Sequence, residues 1–306
     1  TSYGGVVDAL IRVVSDVRTS EANQTTGGRL RYVCQFPEDE PIMASSLLVS
    51  GREEWQAKHF GLKDTRALVE VETNPIDSTT TIMSKHVRIG VFVPNMVQAL
   101  DCVTVDILGS MSKEYVGAVG IMPPHIIAMA PTTTISYITQ PSTGDHVPLS
   151  SGLLIKTSNF YTDEEVAPGN LDIVVVPGPD PAAKIDEAGL QWLKAHFDTG
   201  KVDILSVCTG LYVCAAAGIA DGRLASGPRD FQEDLRARYP KIKLVGGKQR
   251  WVQDGNFWSS GDGVLGGVTN GNDLMAAYAR SGKYWPQELA ELILALVDVG
   301  DRSASF

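Results

Sequence analysis

The chain of 306 residues carries only four cysteines, Cys34, Cys102, Cys208 and Cys214, and none is spaced as a CxxC pair. That excludes a disulfide framework and points to a reducing, cytosolic setting. No apolar run approaches the ~20 residues that a membrane span needs, so no membrane association is expected. Positive charge is scarce as well: 26 Lys and Arg against 36 Asp and Glu give a formal net charge of -10. A field of that sign repels phosphate backbones and disfavours nucleic acid, leaving a small molecule or a protein as the partner. The five histidines are His59, His86, His125, His146 and His196, so none lies beyond residue 196. They do not gather with cysteines or carboxylates at ligand spacings, and no metal is expected. The chain has no GxxxxGK(S/T) loop and no GxGxxG after a first strand, so no nucleotide cofactor is expected either. No charged leader precedes an apolar segment at the amino terminus, and no targeting signal is read there. The single sequon, Asn23-Gln24-Thr25, is read as a chance match.

What is present is an ordinary globular composition, 43% hydrophobic and 20% charged, in a chain long enough for two domains. Its character changes near residue 85. Before that point come an amphipathic helical stretch at 6–17, short β-like pieces at 29–35 and 67–73, and a turn-rich linker at 75–81. From residue 86 strands and helices alternate. Residues 86–93 read as a strand and 97–111 as a helical stretch, and the apolar segment 126–130 takes the place of the next strand. Strands at 172–177 and 202–207 flank a helix at 186–197, and two helical stretches, 273–280 and 286–298, close the chain. Residues 132–165 are polar and read as irregular surface excursions with a β-like piece at 153–156. Short β-branched runs bounded by Gly or Pro are the pattern of strands buried on both faces. The expected fold is therefore α/β, a doubly wound, mainly parallel sheet over 86–306, with a small α+β extension at 1–85 serving as a lid or dimerisation arm.

Cys208 stands out by position. The strand at 203–207 runs straight into Cys208-Thr209-Gly210, and a small-residue helix, Val213-Cys214-Ala215-Ala216-Ala217-Gly218, follows at once. Such a strand–nucleophile–helix elbow forces a strained backbone and presents the thiol to helix N–H groups, which favour the thiolate. In open α/β sheets ligands bind at the carboxyl ends of strands, where Cys208 falls. A buried small hydrophobe at a strand end is the alternative.

Ser206-Val207-Cys208-Thr209-Gly210, followed by Ala215-Ala216-Ala217-Gly218-Ile219-Ala220-Asp221-Gly222, resembles the nucleophile elbow of the ThiJ/PfpI superfamily, which has a flavodoxin-like, class I glutamine amidotransferase-like fold. Val91-Phe92-Val93-Pro94 with Gln98-Ala99-Leu100-Asp101, and Val268-Thr269-Asn270-Gly271-Asn272-Asp273-Leu274 preceded by Arg250-Trp251-Val252-Gln253-Asp254-Gly255-Asn256, resemble two further blocks of that superfamily. The Gln98–Asp101 and Cys208–Gly210 spellings are most similar to the isocyanide hydratase branch and to amidase-like domains of some transcription regulators. No basic helix-turn-helix follows in this chain, and the enzyme branch is the expectation. The resemblance implies Cys208 as nucleophile and Asp101 as its acidic partner, with Thr209, Gly178, Gly210 and Tyr212 as oxyanion or pocket positions. In an isocyanide hydration the thiolate attacks the terminal carbon, the nitrogen side is protonated, and water releases a formamide. A glyoxalase-like or deglycase-like action on 2-oxoaldehydes and a non-catalytic redox-sensing role are the other readings. The resemblance also implies a homodimer.

Several features depart from that pattern. No histidine follows Cys208, which disfavours a glutaminase or a Cys-His protease. Pro177-Gly178-Pro179-Asp180 replaces a Gly-Gly, and Pro179 has no N–H to donate, so an oxyanion donor is either missing or shifted to Gly178. Ser226-Gly227-Pro228-Arg229-Asp230-Phe231 alters a pocket wall, and the glycine-rich stretch from Gly261 adds residues before the last block. Cys102, Cys214 and the tryptophans Trp192, Trp251, Trp258 and Trp285 are expected to pack in the core, His196 to sit at a surface or helix end, and Trp55 and His59 to lie on the surface.

Overall fold

The computed structural model describes residues 85–245, 247–261 and 269–305, together with the backbone of two strands nearer the amino terminus. The chain divides into two units, Thr1–Thr81 and Ile82–Phe306. In the first, β1 (Arg31–Gln35) and β2 (Arg66–Glu70) pair antiparallel with Arg31 opposite Glu70. The helix expected at 6–17, the linker at 75–81, Trp55 and His59 lie outside the described residues.

The second unit is built on a seven-stranded sheet. It starts with β3 (His86–Phe92), followed by the short helices α1 (Ala99–Val103), α2 (Asp106–Gly109), α3 (Lys113–Ala118) and α4 (Pro124–Met129). Next come β4 (Thr132–Thr139), the hairpin β5 (His146–Pro148) and β6 (Leu154–Lys156), and β7 (Asn159–Phe160). A βαβ unit follows in β8 (Ile173–Val176), α5 (Glu187–Asp198) and β9 (Asp203–Val207), leading into α6 (Gly210–Ala216). The remainder is β10 (Leu224–Ala225), α7 (Gln232–Arg238), β11 (Lys243–Leu244), β12 (Trp251–Asp254), β13 (Phe257–Ser260), α8 (Asn270–Arg280) and α9 (Gln287–Leu296). The sheet order is β12-β13-β9-β8-β3-β4-β7, and every pairing in it is parallel except β12 with β13. This is the mainly parallel, doubly wound α/β sheet that the sequence pattern predicts.

Alternation along the strands sends side chains to two cores. Val87, Ile89, Val91, Ile173, Val175, Leu205 and Val207 pack with residues of α1, α2, α8 and α9. Phe92, Val174, Val176 and Ile204 face the opposite way, toward α5 and α6. Each fully buried Val or Ile contributes about 1.5–3 kcal/mol, so the sheet centre is the most stable part of the unit. Two expectations are corrected. The apolar segment at 126–130 belongs to helix α4, because Pro123-Pro124 sets its first turn. The neighbouring sheet strand is instead β4, which lies in the stretch read as irregular: its Thr, Ile and Tyr residues favour a strand although only its last two are buried. The helical stretch at 97–111 is divided between α1 and α2.

The strand order changes direction between β3 and β8: from β3 the chain goes outward to β4, and later outward through β9 and β13 on the other side. The carboxyl ends of β3, β8 and β9 therefore surround a crevice, the position at which open α/β sheets bind ligands.

Candidate active site

Three loops fill that crevice, and each brings one of the residues singled out in the sequence. β9 ends at Val207, and Cys208 follows with φ of 55°. Only two non-glycine residues among those described have positive φ, and a left-handed backbone at a side-chain-bearing residue costs about 1–3 kcal/mol unless its surroundings enforce it. The enforcement is visible. The Cys208 N–H donates to the Ser260 carbonyl at 3.2 Å, and the Cys208 carbonyl accepts from Leu211 N–H in the first turn of α6. Gly210 sits against the Val176 carbonyl, with only 2.1 Å between that oxygen and the place a Cβ would take. The elbow thus fits only if residue 210 is glycine. The Cys208 side chain is half-buried and packs on the core face that α8 covers.

Asp101 comes from α1, after β3. Its residue is fully buried, and its Oδ2 accepts the Gly178 N–H at 3.2 Å. It is not the helix cap. Gln98 caps α1, its Oε1 accepting from Ala99 N–H at 3.0 Å. Gly178, from the turn after β8, is wedged between the two other loops. A Cβ there would lie 2.4 Å from Thr209 Oγ1, 2.7 Å from Asp101 Oδ2 and 2.9 Å from Thr209 N. Thr209 is tied down in turn by its hydroxyl, which donates to the Pro179 carbonyl at 2.7 Å. Gly178 therefore lies in close contact with both Asp101 and the residue next to Cys208. With no N–H at Pro179, the backbone donor nearest the acid is that of Gly178, and it is spent on holding the carboxylate.

A cleft of about 310 Å³ opens over this junction, lined by Met96, Val97, Gln98, Ser150, Gly178, Pro179, Asp180, Cys208 and Thr209. Its rim mixes apolar and polar groups. Gln98 and Ser150, whose hydroxyl donates to Gln98 Oε1, bind the β5–β6 hairpin to the cleft. The lining contributions of Met96, Ser150 and Asp180 were not legible in the sequence. They come from three separate segments with no shared spacing.

Gly210 and Tyr212 do not line the cleft. Gly210 is buried beneath the elbow, and Tyr212 is buried on the α5/α6 side with its hydroxyl donating to Asp234 Oδ2 at 2.6 Å. Cys102 and Cys214 are buried, and burial pushes both thiols up to about 12, assisted at Cys102 by the neighbouring Asp101 charge. His196 lies in the last turn of α5, at the helix end as expected, but not on the surface. It is fully buried against Trp192, accepts the Gly169 N–H on Nδ1 at 3.3 Å and lies 3.1 Å by Nε2 from the Val166 carbonyl. The only tautomer that serves both partners is neutral with its proton on Nε2, and burial holds the imidazole below its ordinary range. The described histidines His86, His125 and His146 make contacts elsewhere and do not line the cleft. Arg229, expected at a pocket wall, donates to the Gly247 carbonyl and also lies outside the lining.

A second cavity, of about 350 Å³, lies toward the opposite end of β9, lined by Asp203, Trp258, Tyr278 and Lys283 among others. There Asp203 Oδ2 accepts from Tyr278 and from Lys283 Nζ at 2.6 Å. Among the described residues no group of three or more His, Cys, Asp or Glu is placed to hold a metal ion. No described helix is long and apolar enough to cross a membrane.

The DJ-1/PfpI family matches residues 121–265. An isonitrile hydratase of Pseudomonas putida is 28% identical over 162 residues, which are 52% of this chain and 63% of that enzyme, so the chain spans less than two thirds of this relative. Among solved structures, a ThiJ/PfpI family protein of Pseudomonas syringae superposes with a TM-score of 0.53 at 20% identity, covering 77% of this chain and 84% of that one. The DJ-1 protein of Schizosaccharomyces pombe gives 0.51 at 13% identity, covering 70% of this chain and all of that one. An AraC family transcriptional regulator of Pseudomonas putida gives 0.52 at 16% identity, covering 69% of this chain and 99% of that one. These likenesses show the fold, and they include both an enzyme family and a regulator.

Proposed function

We propose that the chain, whose residues 121–265 match the DJ-1/PfpI family, is a cysteine-dependent enzyme which hydrates a small isonitrile to the corresponding N-substituted formamide. The observation that carries this reading is the juxtaposition of Cys208, held in a left-handed elbow, with the buried carboxyl of Asp101 across Gly178 and Thr209. The sequence likeness to an isonitrile hydratase supports the substrate class.

The chemistry balances with one cysteine, one acid and one water. Cys208 sulfur forms a bond to the terminal carbon of R–NC while that carbon receives the proton, giving the thioimidate R–N=CH–S–Cys208. Water then adds across C=N, its oxygen to carbon and a proton to nitrogen. Collapse of that adduct breaks the C–S bond, releases R–NH–CHO and returns the Cys208 thiol. Asp101 is the proton carrier: it shuttles the proton from sulfur to carbon and later helps deprotonate the water. Gly178 N–H fixes its carboxylate, and Thr209 N–H, beside the sulfur at the start of α6, faces the oxygen that develops charge in the last step. The cleft of about 310 Å³ suits a small substituent R. A soluble dimer acting in the cytoplasm is the setting proposed for this activity.

The test is incubation of the full chain with a size series of alkyl isonitriles, following formamide by NMR and the protein by intact mass spectrometry. Turnover is expected, lost in Cys208→Ser and reduced about 10²–10⁴-fold in Asp101→Asn. Absence of both formamide and Cys208 adduct across the series overturns the reading. Lactate formed from methylglyoxal in its place would assign the same thiol to 2-oxoaldehydes.

A further inference from the structure

Behind the elbow, on the core face toward which Cys208 packs, two polar side chains are buried with unmet hydrogen-bonding capacity. Ser260, the last residue of β13, is 1% exposed, and its hydroxyl has no hydrogen-bond partner among the described residues. Asn270, the first residue of α8, is also 1% exposed: its amide nitrogen donates to the Gly261 carbonyl, and its Oδ1 accepts from none of the described residues. A buried polar atom left unpaired costs about 1–3 kcal/mol, so two together call for a ligand able to donate and accept hydrogen bonds.

Both groups are tied to the backbone that carries the sulfur. Ser260 pairs with Val207, its carbonyl holds the Cys208 N–H, and its side chain shares a sheet face with Trp258 and Val207, the face covered by α8. The first turn of α8 is pressed onto that point. A Cβ on Gly271 would lie 2.8 Å from Val207 Cγ1 and 2.8 Å from Thr104 Cγ2. Thr104 in turn donates to the Asp101 carbonyl at 2.8 Å. The α8 terminus therefore joins the segments bearing both members of the proposed catalytic pair, and its amide dipoles favour an electron-rich atom there.

We propose that Ser260 Oγ and Asn270 Oδ1 form an internal site for one water molecule behind Cys208, and that this water is the one added to the thioimidate. Asn270 Oδ1, which can only accept, orients the water with one hydrogen toward the amide and an oxygen lone pair available for carbon. Ser260 Oγ donates to the water or accepts from it as the reaction requires. The catalytic use of the water rests on the isonitrile reading, whereas the binding site rests on the unpaired atoms alone.

The experiment has two arms. In a high-resolution crystal structure of the full chain, an ordered water within hydrogen-bond distance of both atoms is expected, and its loss in Ser260→Ala; a dry site in the wild type overturns the proposal. In single-turnover mass spectrometry with a small alkyl isonitrile, Ser260→Ala is expected to form the Cys208 adduct at the wild-type rate but to hydrolyse it about tenfold more slowly, the effect of one lost hydrogen bond. Equal slowing of both steps, or of neither, overturns the role in hydration. Ser260→Ala removes only an unpaired hydroxyl, so folding is preserved; a melting temperature equal to the wild type confirms that. A wild type that forms no adduct ends the isonitrile reading and the water's use in it, and the crystallographic arm still decides the binding site.

Discussion

Replacing Gly178 by alanine tests whether the crevice is as tightly coupled as its distances require. The added Cβ would lie 2.4 Å from Thr209 Oγ1, 2.7 Å from Asp101 Oδ2 and 2.9 Å from Thr209 N, where ordinary contact begins at 3.4 Å. About 1 Å of relief is needed, and none of the three neighbours can give it freely. Thr209 Oγ1 is bonded to Pro179, Asp101 is fully buried, and the third atom is backbone at the elbow itself. Overpacking of this kind costs about 1–3 kcal/mol, which for a unit of this size is a fall of roughly 2–12 °C in melting temperature. More telling is geometry: a displacement near 1 Å at a catalytic pair is worth about 10²-fold in rate. The assay is iodoacetamide alkylation of each cysteine against pH, read by peptide mass spectrometry, beside a thermal melt. Gly178→Ala is expected to remain folded and to slow Cys208 by roughly 10–100-fold. The exposed Gly117→Ala in α3, where a Cβ meets nothing within 4 Å, leaves Cys208 unchanged. A Gly178→Ala protein with the wild-type alkylation profile would refute the coupling of Asp101, Thr209 and Cys208 through residue 178.

Three further outcomes follow from the same contacts. Because burial holds Cys102 and Cys214 at about 12, each should alkylate at pH 8 about a thousandfold more slowly than a thiol of ordinary pKa near 8.5; labelling of either at the Cys208 rate would contradict their burial. His196 is stabilised neutral, with a folded-state pKa below its unfolded value. Its contribution is therefore complete above about pH 6.5 and is lost as pH falls below that, by at most about 1.4 kcal/mol per pH unit; urea unfolding of wild type and His196→Gln at pH 7.5 and 5.5 measures this, and parallel losses in the two proteins would refute it. Tyr212→Phe removes the 2.6 Å bond to Asp234 and should cost about 1 kcal/mol in denaturant unfolding while leaving Cys208 reactivity unchanged, since Tyr212 lies outside the cleft; a large fall in alkylation would return it to the site.

The elbow was legible because its signals are local. A β-branched run ending at Val207, a cysteine, then a glycine and small residues state in one stretch of chain that a strand ends, a strained residue follows and a helix begins. The βαβ unit of β8, α5 and β9 was legible for the same reason, through its continuous apolar strands and the amphipathic period of the helix between them. β4 was not. Its threonines Thr132, Thr133 and Thr134 carry strand propensity without an alternating pattern, and its pairing with neighbouring strands, above all β3, decides its state. The helix-end position of His196 was legible, but its burial was not, because a histidine on an amphipathic stretch gives no sign of the backbone carbonyl and amide that enclose it.

The sequence alone thus determined the class of fold and the position of the thiol at a strand end, and the resemblance carried by its Gln98–Asp101 motif named the acid proposed to act with it. Those features depend on interactions between residues near each other in the chain. Only the tertiary structure decided what meets what. It set Asp101 against Gly178, committed the Gly178 N–H to the carboxylate, brought Ser150 from a distant hairpin to the rim and turned Tyr212 away from it. It also buried Ser260, whose carbonyl holds the elbow N–H, and Asn270, whose amide is tied to Gly261. Those outcomes depend on strand order: β3, β8 and β9 are adjacent in the sheet but separated by long stretches of sequence, and no local pattern encodes which loop will face which.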